Sequence, residues 1–282
     1  MMRRLRYPAV SGSFYPNDAA ELTRDVDRFV TRCKHPGQGE VDADVRGRAK
    51  IVVVPHAGYR YSGSVAGCAY SRLARLVPAP KRVVLLGPAH TMPVSGMVVP
   101  QAHVWRTPLG DVEIDRPAVE ALEVLHGVQT DERPHAQEHA LEVQLPFLQR
   151  VLSDGFTLVP VVVGRTPPDL VADLIDTCWG GDETIIVIST DLSHYHPEPE
   201  AKALDRATVD AVLAGDLAGV THDGACGATP LRGAMVAAGR RGLSPVLVSL
   251  ATSADAGGDN WRVVGYGSFV YEIPTSRSEE VS

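Results

Sequence analysis

Three of the chain's ten histidines follow closely on short runs of branched apolar residues. After KIVVV comes Pro55-His56-Ala57-Gly58-Tyr59, and after RVVLL comes Gly87-Pro88-Ala89-His90. After TIIVI comes Ser189-Thr190-Asp191-Leu192-Ser193-His194. Imidazole is a ligand for Fe, Cu, Zn and Ni, and a carboxylate among imidazoles either ligates or orients a ligand from behind. One such histidine alone is most often a satisfied polar group. Three in the same position relative to a strand point to a mononuclear metal site, with Asp191 as ligand or orienting group.

Cys226 offers a different donor. It lies in Asp223-Gly224-Ala225-Cys226-Gly227-Ala228-Thr229-Pro230, a Gly-rich turn running into a helix. There the helix dipole lowers a thiol's pKa and favours the thiolate, which ligates metals and attacks electrophiles. A small side chain at a tight turn explains the position equally well. His139 and Glu142 are three apart and share one face of a helix, with His135 a turn earlier. That face is either an acid/base or hydrogen-bonding wall turned to the histidines, or the start of a solvated amphipathic helix. The order is not HExxH, which sets aside a zincin-type protease.

The elements that must position these residues are legible as short Val- and Ile-rich runs, the pattern of strands covered on both faces. They span Lys50–Pro55, Arg82–Gly87, Thr157–Gly164, Thr184–Ser189 and Pro245–Leu250. A last run, Arg262–Glu272, alternates more and is expected at an edge or in an antiparallel pair. Helices are expected after Asn17, Asp115 and Thr166, each a capping residue, and over about 62–76, 138–152, 197–213 and 229–240. Strands alternating with helices imply βαβ units and one largely parallel or mixed sheet with helices on both faces. In such sheets ligand sites collect outside the carboxyl ends of the strands. His56 and His90 then share a rim, since one helix joins their strands, and His194 joins them if its strand is parallel too. A single α/β domain over residues 1–274 is expected, with a surface loop at His35–Ala49 and a disordered tail at 275–282.

Composition narrows the partners. The 282 residues carry 27 Lys+Arg against 34 Asp+Glu, a net charge of −7, and no basic block, which argues against nucleic acid. No apolar run approaches a membrane span, and MMRRLRYPAV lacks the apolar stretch of a secretory signal, so a cytoplasmic protein is expected. The four cysteines are widely spaced and form no CxxC, so no disulfide framework is expected, and Cys33, Cys68 and Cys178 read as packing residues. Gly265-Tyr266-Gly267-Ser268 does not fit a phosphate-loop fingerprint, and no nucleotide cofactor is expected.

Seven strings together resemble the Memo-like family, of the AmmeMemoRadiSam system protein B type. They are YPAVSGSFYP (7–16), PHAGYRYSG (55–63), LLGPAH (85–90), WRTPLGDVEID (105–115), EHALEVQLPFL (138–148), STDLSHY (189–195) and ACGATP (225–230). The resemblance runs from about Tyr7 to Tyr271 with the motifs in family order. It implies a fold similar to the class III extradiol (LigB-like) dioxygenases, one α/β domain with a cleft metal. By this resemblance His56, His90 and Cys226 are the metal ligands, and Fe(II) or Cu the metal. Asp191 and His194 line the same cleft, His194 as the counterpart of the dioxygenase acid/base histidine, with His139 and Glu142 behind the ligands. The thiolate in place of the dioxygenases' carboxylate shifts the metal preference toward Cu or a differently tuned Fe. The resemblance also implies a small-molecule or peptide ligand, and as partners a radical-SAM protein and an AMMECR-type domain protein.

The function expected is therefore that of a mononuclear non-haem iron or copper protein with redox or dioxygenase-like chemistry. Two alternatives remain open at this stage. One is a non-catalytic adaptor whose cleft receives a peptide or phospho-ligand. The other is a hydrolase or transferase with Cys226 as nucleophile and His194 as base.

Overall fold

The computed structural model describes residues 3–33, 47–152 and 155–274. In chain order the first elements are β1 (Leu5–Arg6), α1 (Ala19–Thr31), β2 (Gly47–Val54), α2 (Tyr59–Leu73), β3 (Arg82–Pro88), β4 (Met97–Val99), β5 (Val104–Thr107) and β6 (Gly110–Ile114). There follow α3 (Arg116–Leu122), β7 (Val128–Thr130), α4 (Arg133–Ala136), α5 (His139–Glu142), α6 (Leu145–Val151), β8 (Thr157–Val163) and α7 (Pro168–Thr177). The last are β9 (Thr184–Ser189), β10 (His194–His196), α8 (Glu198–Ala214), α9 (Ala228–Gly239), β11 (Pro245–Thr252) and β12 (Val263–Pro274).

Twelve strands form one mixed sheet among the described residues. Its centre is β8-β3-β9-β2, all parallel, as their unbroken apolar runs require. Every residue of β9 is buried, so both faces are covered. One helix group is α1, α2 and α6, and another is α7, α9 and α3. The alternating run at the chain's end becomes β12, antiparallel to β2 but no edge strand, because β10 and β11 pair with it as well.

Other expectations are adjusted. Asp18, not Asn17, caps α1, its carboxylate accepting the Glu21 N–H at 2.8 Å. The helix expected over 138–152 is two, α5 and α6, with Pro146 in the first turn of the second, where its missing N–H costs nothing. Of the loop expected at His35–Ala49, residues 35–46 lie outside the described residues and 47–49 belong to β2; the tail at 275–282 lies outside them too. No helix among the described residues is long and apolar enough to cross a membrane.

The cysteines bring the clearest correction. Cys33, just past α1, is bonded to Cys68 within α2, across a sequence separation of 35 that no spacing rule connects. Cys178 and Cys226 are free. A cross-link of that loop length stabilises by about 2–4 kcal/mol, chiefly by restricting the unfolded chain. The Cys33→Ser/Cys68→Ser variant is accordingly expected to unfold at lower urea than the oxidised protein, and thiol titration of the unreduced, denatured chain should count Cys178 and Cys226 alone.

Candidate metal centre

Since β2, β9 and β3 lie side by side and parallel, their carboxyl ends open on one rim. His56 stands two residues beyond β2, Asp191 two beyond β9 and His90 two beyond β3. A third imidazole arrives from α5: the ligating atoms of His56, His90 and His139 all lie within 4.8 Å of one another. The rings of His56 and His90 are 5.0 Å apart, those of His56 and His139 5.4 Å, and those of His90 and His139 4.7 Å.

The hydrogen bonds behind the rings decide which nitrogens face one another. Ser189 Oγ donates to the Ala140 carbonyl at 2.6 Å, so its oxygen accepts from His56 Nδ1 at 2.9 Å and from Gln144 Nε2 at 2.9 Å. His56 therefore carries its proton on Nδ1 and keeps the Nε2 lone pair. His90 is held in the same way: its ring Nδ1 donates to Glu138 Oε1 at 2.9 Å and its backbone N–H to Oε2 at 2.6 Å. Burial raises the Glu138 pKa, but the bonds from His90 and from the Ala140 N–H outweigh it and hold the carboxyl below its usual range. A carboxylate behind a histidine fixes the tautomer and raises the basicity of the other nitrogen, the arrangement found behind ligating histidines. Burial, then the neighbouring imidazoles, keep His56 neutral; burial does the same for His139.

Around this trio stand the other expected groups. Cys226 Sγ is 3.3 Å from His56 Nε2 and 3.7 Å from the Asp191 carbonyl. α9 delivers it, and Gly227 allows the approach: a Cβ there would lie 2.6 Å from Thr190 Cβ. Burial, then the Asp191 carboxylate, push the thiol up to about 12, the reverse of the lowering expected at a helix start. Asp191 Oδ1 accepts the His56 N–H at 2.7 Å, and Oδ2 is 3.9 Å from His56 Nε2. Its burial raises the carboxyl to about 7, a value suited to exchanging a proton near neutrality. His194 Nδ1 donates to the Leu192 carbonyl at 2.9 Å, leaving Nε2 as a lone-pair nitrogen, and burial keeps the ring neutral. The next residue, Tyr195, is held at φ +63, a conformation unusual for a non-glycine residue and concentrated at functional sites.

The Memo-like protein family model matches residues 6–270. The chain belongs to the Memo-like family. A MEMO1 family protein of Methanopyrus kandleri is 38% identical over 279 residues, which cover 94% of this chain and 98% of that one. One from Ignicoccus hospitalis is 37% identical, covering 96% and 99%. One from Methanothermobacter thermautotrophicus is 36% identical, covering 93% and 98%.

In this Memo-like protein, His139 and Glu142 part company. His139 stands among the imidazoles rather than behind them. Glu142 stands further out, its carboxylate accepting from Arg6 Nη1 at 2.8 Å, the Ala9 and Val10 N–H groups at 2.7 and 3.0 Å, and the Tyr15 hydroxyl at 2.7 Å. Arg6 gives two further donors to the His135 and Glu138 carbonyls at 2.7 and 2.9 Å. The N-terminal segment is thus riveted to the short helix that carries His139, and Phe14 packs on the His139 ring at 4.8 Å.

His135 is fully buried, with Nε2 donating to the Val98 carbonyl at 3.0 Å and Nδ1 without a partner among the described residues. Burial, reinforced by Arg6, lowers its pKa to about 3. The unfolded chain takes up a proton that the folded one refuses. Stability therefore falls as pH drops from about 6.5 toward about 3, by up to about 1.4 kcal/mol per unit. His135→Gln is expected to flatten this part of the acid limb when urea midpoints are compared across that window.

Proposed function

We propose that the protein holds one transition-metal ion at the rim and uses it for redox or dioxygenase-like chemistry. The observation that carries this reading is the convergence of the ligating atoms of His56, His90 and His139 within 4.8 Å. The back-side bonds of Ser189 and Glu138 support it, because they leave Nε2 of His56 and His90 free to ligate. Cys226 stands at His56 as a further ligand. A set of imidazoles with one thiolate suits Fe(II) or Cu better than a hard cation. Bound there, the ion would supply a Lewis-acidic, electron-exchanging centre. Asp191 and His194 would bind and relay protons beside it. The protonated Cys226 weighs against a metal-free nucleophile.

Elemental analysis of anaerobically purified protein loaded with Fe(II) or Cu(I) tests the reading, together with O2 uptake on candidate reductants. About one ion per chain is expected, lost in the His56→Ala/His90→Ala variant. Equal metal retention by that variant and the wild type would falsify the assignment.

A further inference from the structure

Asp205 lies midway along α8, is 1% exposed and makes no ion pair among the described residues. A carboxyl group this deep is costly unless it is bonded, and its Oδ1 accepts the Ser193 N–H at 3.0 Å. It lies flush against β12, where a Cβ on Gly265 would collide with both of its oxygens. The glycine leaves the carboxyl just room enough to reach the loop between β9 and β10, which carries Asp191 and leads into His194.

The Ser193 N–H belongs to the same planar peptide unit as the Leu192 carbonyl, so the two point in opposite directions. That carbonyl accepts the His194 Nδ1–H at 2.9 Å. One peptide therefore stands between the Asp205 carboxyl and the His194 ring. The groups on either side of it are tied to β12: the Leu192 N–H donates to the Gly265 carbonyl at 2.8 Å, and the Gly265 N–H to the Ser193 carbonyl at 2.9 Å. Those two bonds flank the peptide without fixing which way it faces. Turning it about the line joining its two Cα atoms leaves both in place.

The turned peptide would set the Leu192 carbonyl against Asp205 Oδ1, acceptor against acceptor, and the Ser193 N–H against His194 Nδ1. An N–H facing Nδ1 selects the tautomer with its proton on Nε2, which then has no lone pair to offer. We propose that Asp205 is a positioning residue for His194. By holding the Ser193 N–H it fixes the direction of the Leu192–Ser193 peptide, and so keeps the ring proton on Nδ1 and the Nε2 lone pair free. The use of that lone pair rests on the reading above, in which His194 relays protons beside the metal. The choice of tautomer does not.

The experiment is nitrogen NMR of the isotope-labelled histidine rings in the metal-free, full-length protein, at a pH where imidazole is neutral. The His194 signals are assigned by their loss in His194→Gln. The wild type is expected to hold His194 in the Nδ1–H form alone. Asp205→Leu removes the acceptor at similar size, and the Nε2–H form, which neutral histidine favours in water, is expected to become the major one. Asp205→Asn keeps an acceptor oxygen and should retain the Nδ1–H form. His56 and His90 are internal controls, since Ser189 and Glu138 hold their Nδ1 protons in every variant. A lower Tm in Asp205→Leu with the His194 tautomer unchanged overturns the proposal, as does an equal loss in the Leu and Asn variants. A wild-type His194 with its proton on Nε2 also overturns it, whether or not Asp205→Leu folds. No metal is present in these samples, so their outcome is separate from the metal reading, which stands or falls on ion content.

Discussion

Glu142→Ala is expected to destabilise the protein by about 3–5 kcal/mol, the cost of leaving one member of a buried ion pair without its partner. The Arg6 and Glu142 side chains are 2% and 0% exposed and meet at 2.8 Å. The loss extends past that pair, because the carboxylate also accepts the Ala9 and Val10 N–H groups and the Tyr15 hydroxyl. Arg6, left beneath the surface with its guanidinium 4.3 Å from the Trp105 ring, has no other carboxylate bonded to it among the described residues. Glu142→Gln keeps the acceptor oxygen and the shape, and should fall between the two. Arg6→Met/Glu142→Leu removes both charges at similar volume and should regain most of the stability, since replacing a buried pair by apolar groups is often neutral. Urea denaturation orders the four proteins. A Glu142→Ala variant within about 1 kcal/mol of wild type would mean that the N-terminal segment detaches without consequence for the fold. Metal content read on the same samples tests the second effect, because His139 and Glu138 sit on the helix this anchor holds.

The reasons some of this was legible in advance, and some was not, are physical. KIVVV, RVVLL and TIIVI stand out because strands covered on both faces need unbroken apolar runs, and the parallel topology then sends His56, His90 and Asp191 to one rim. His139 could not be placed that way. It comes from a single-turn helix rather than a strand end, and its spacing from Glu142 shows a shared face without showing what lies opposite each residue. Glu142 meets Arg6 across 136 residues and Cys33 meets Cys68 across 35, separations on which local pattern is silent. β1, β4, β7 and β10 are two or three residues long, too short for any period to register. At Cys226 local sequence shows the helix start, which lowers a thiol's pKa, but not the burial and the Asp191 carboxylate, which outweigh it.

That reversal has a measurable consequence for metal uptake. With its thiol pushed up to about 12, Cys226 is protonated in the metal-free protein, its sulfur 3.3 Å from the His56 lone pair. A thiol ligates as thiolate, so binding at Cys226 must expel a proton. His56 and His139 have no proton to give up, because burial already holds them neutral. Asp191 is ionised once pH exceeds its value of about 7. Between about pH 7.5 and about pH 9.5 the thiol is therefore the group that titrates on binding, and protons compete with metal for it. Affinity is expected to rise about tenfold per pH unit, about a hundredfold across the window, in chelator competition with Co(II). Roughly one proton per metal should appear in a weakly buffered titration. Cys226→Ala should bind more weakly and with no slope, while His90→Ala should bind more weakly and keep it. A flat wild-type profile would leave the ion to the three imidazoles and return Cys226 to the role of a small residue at a tight turn.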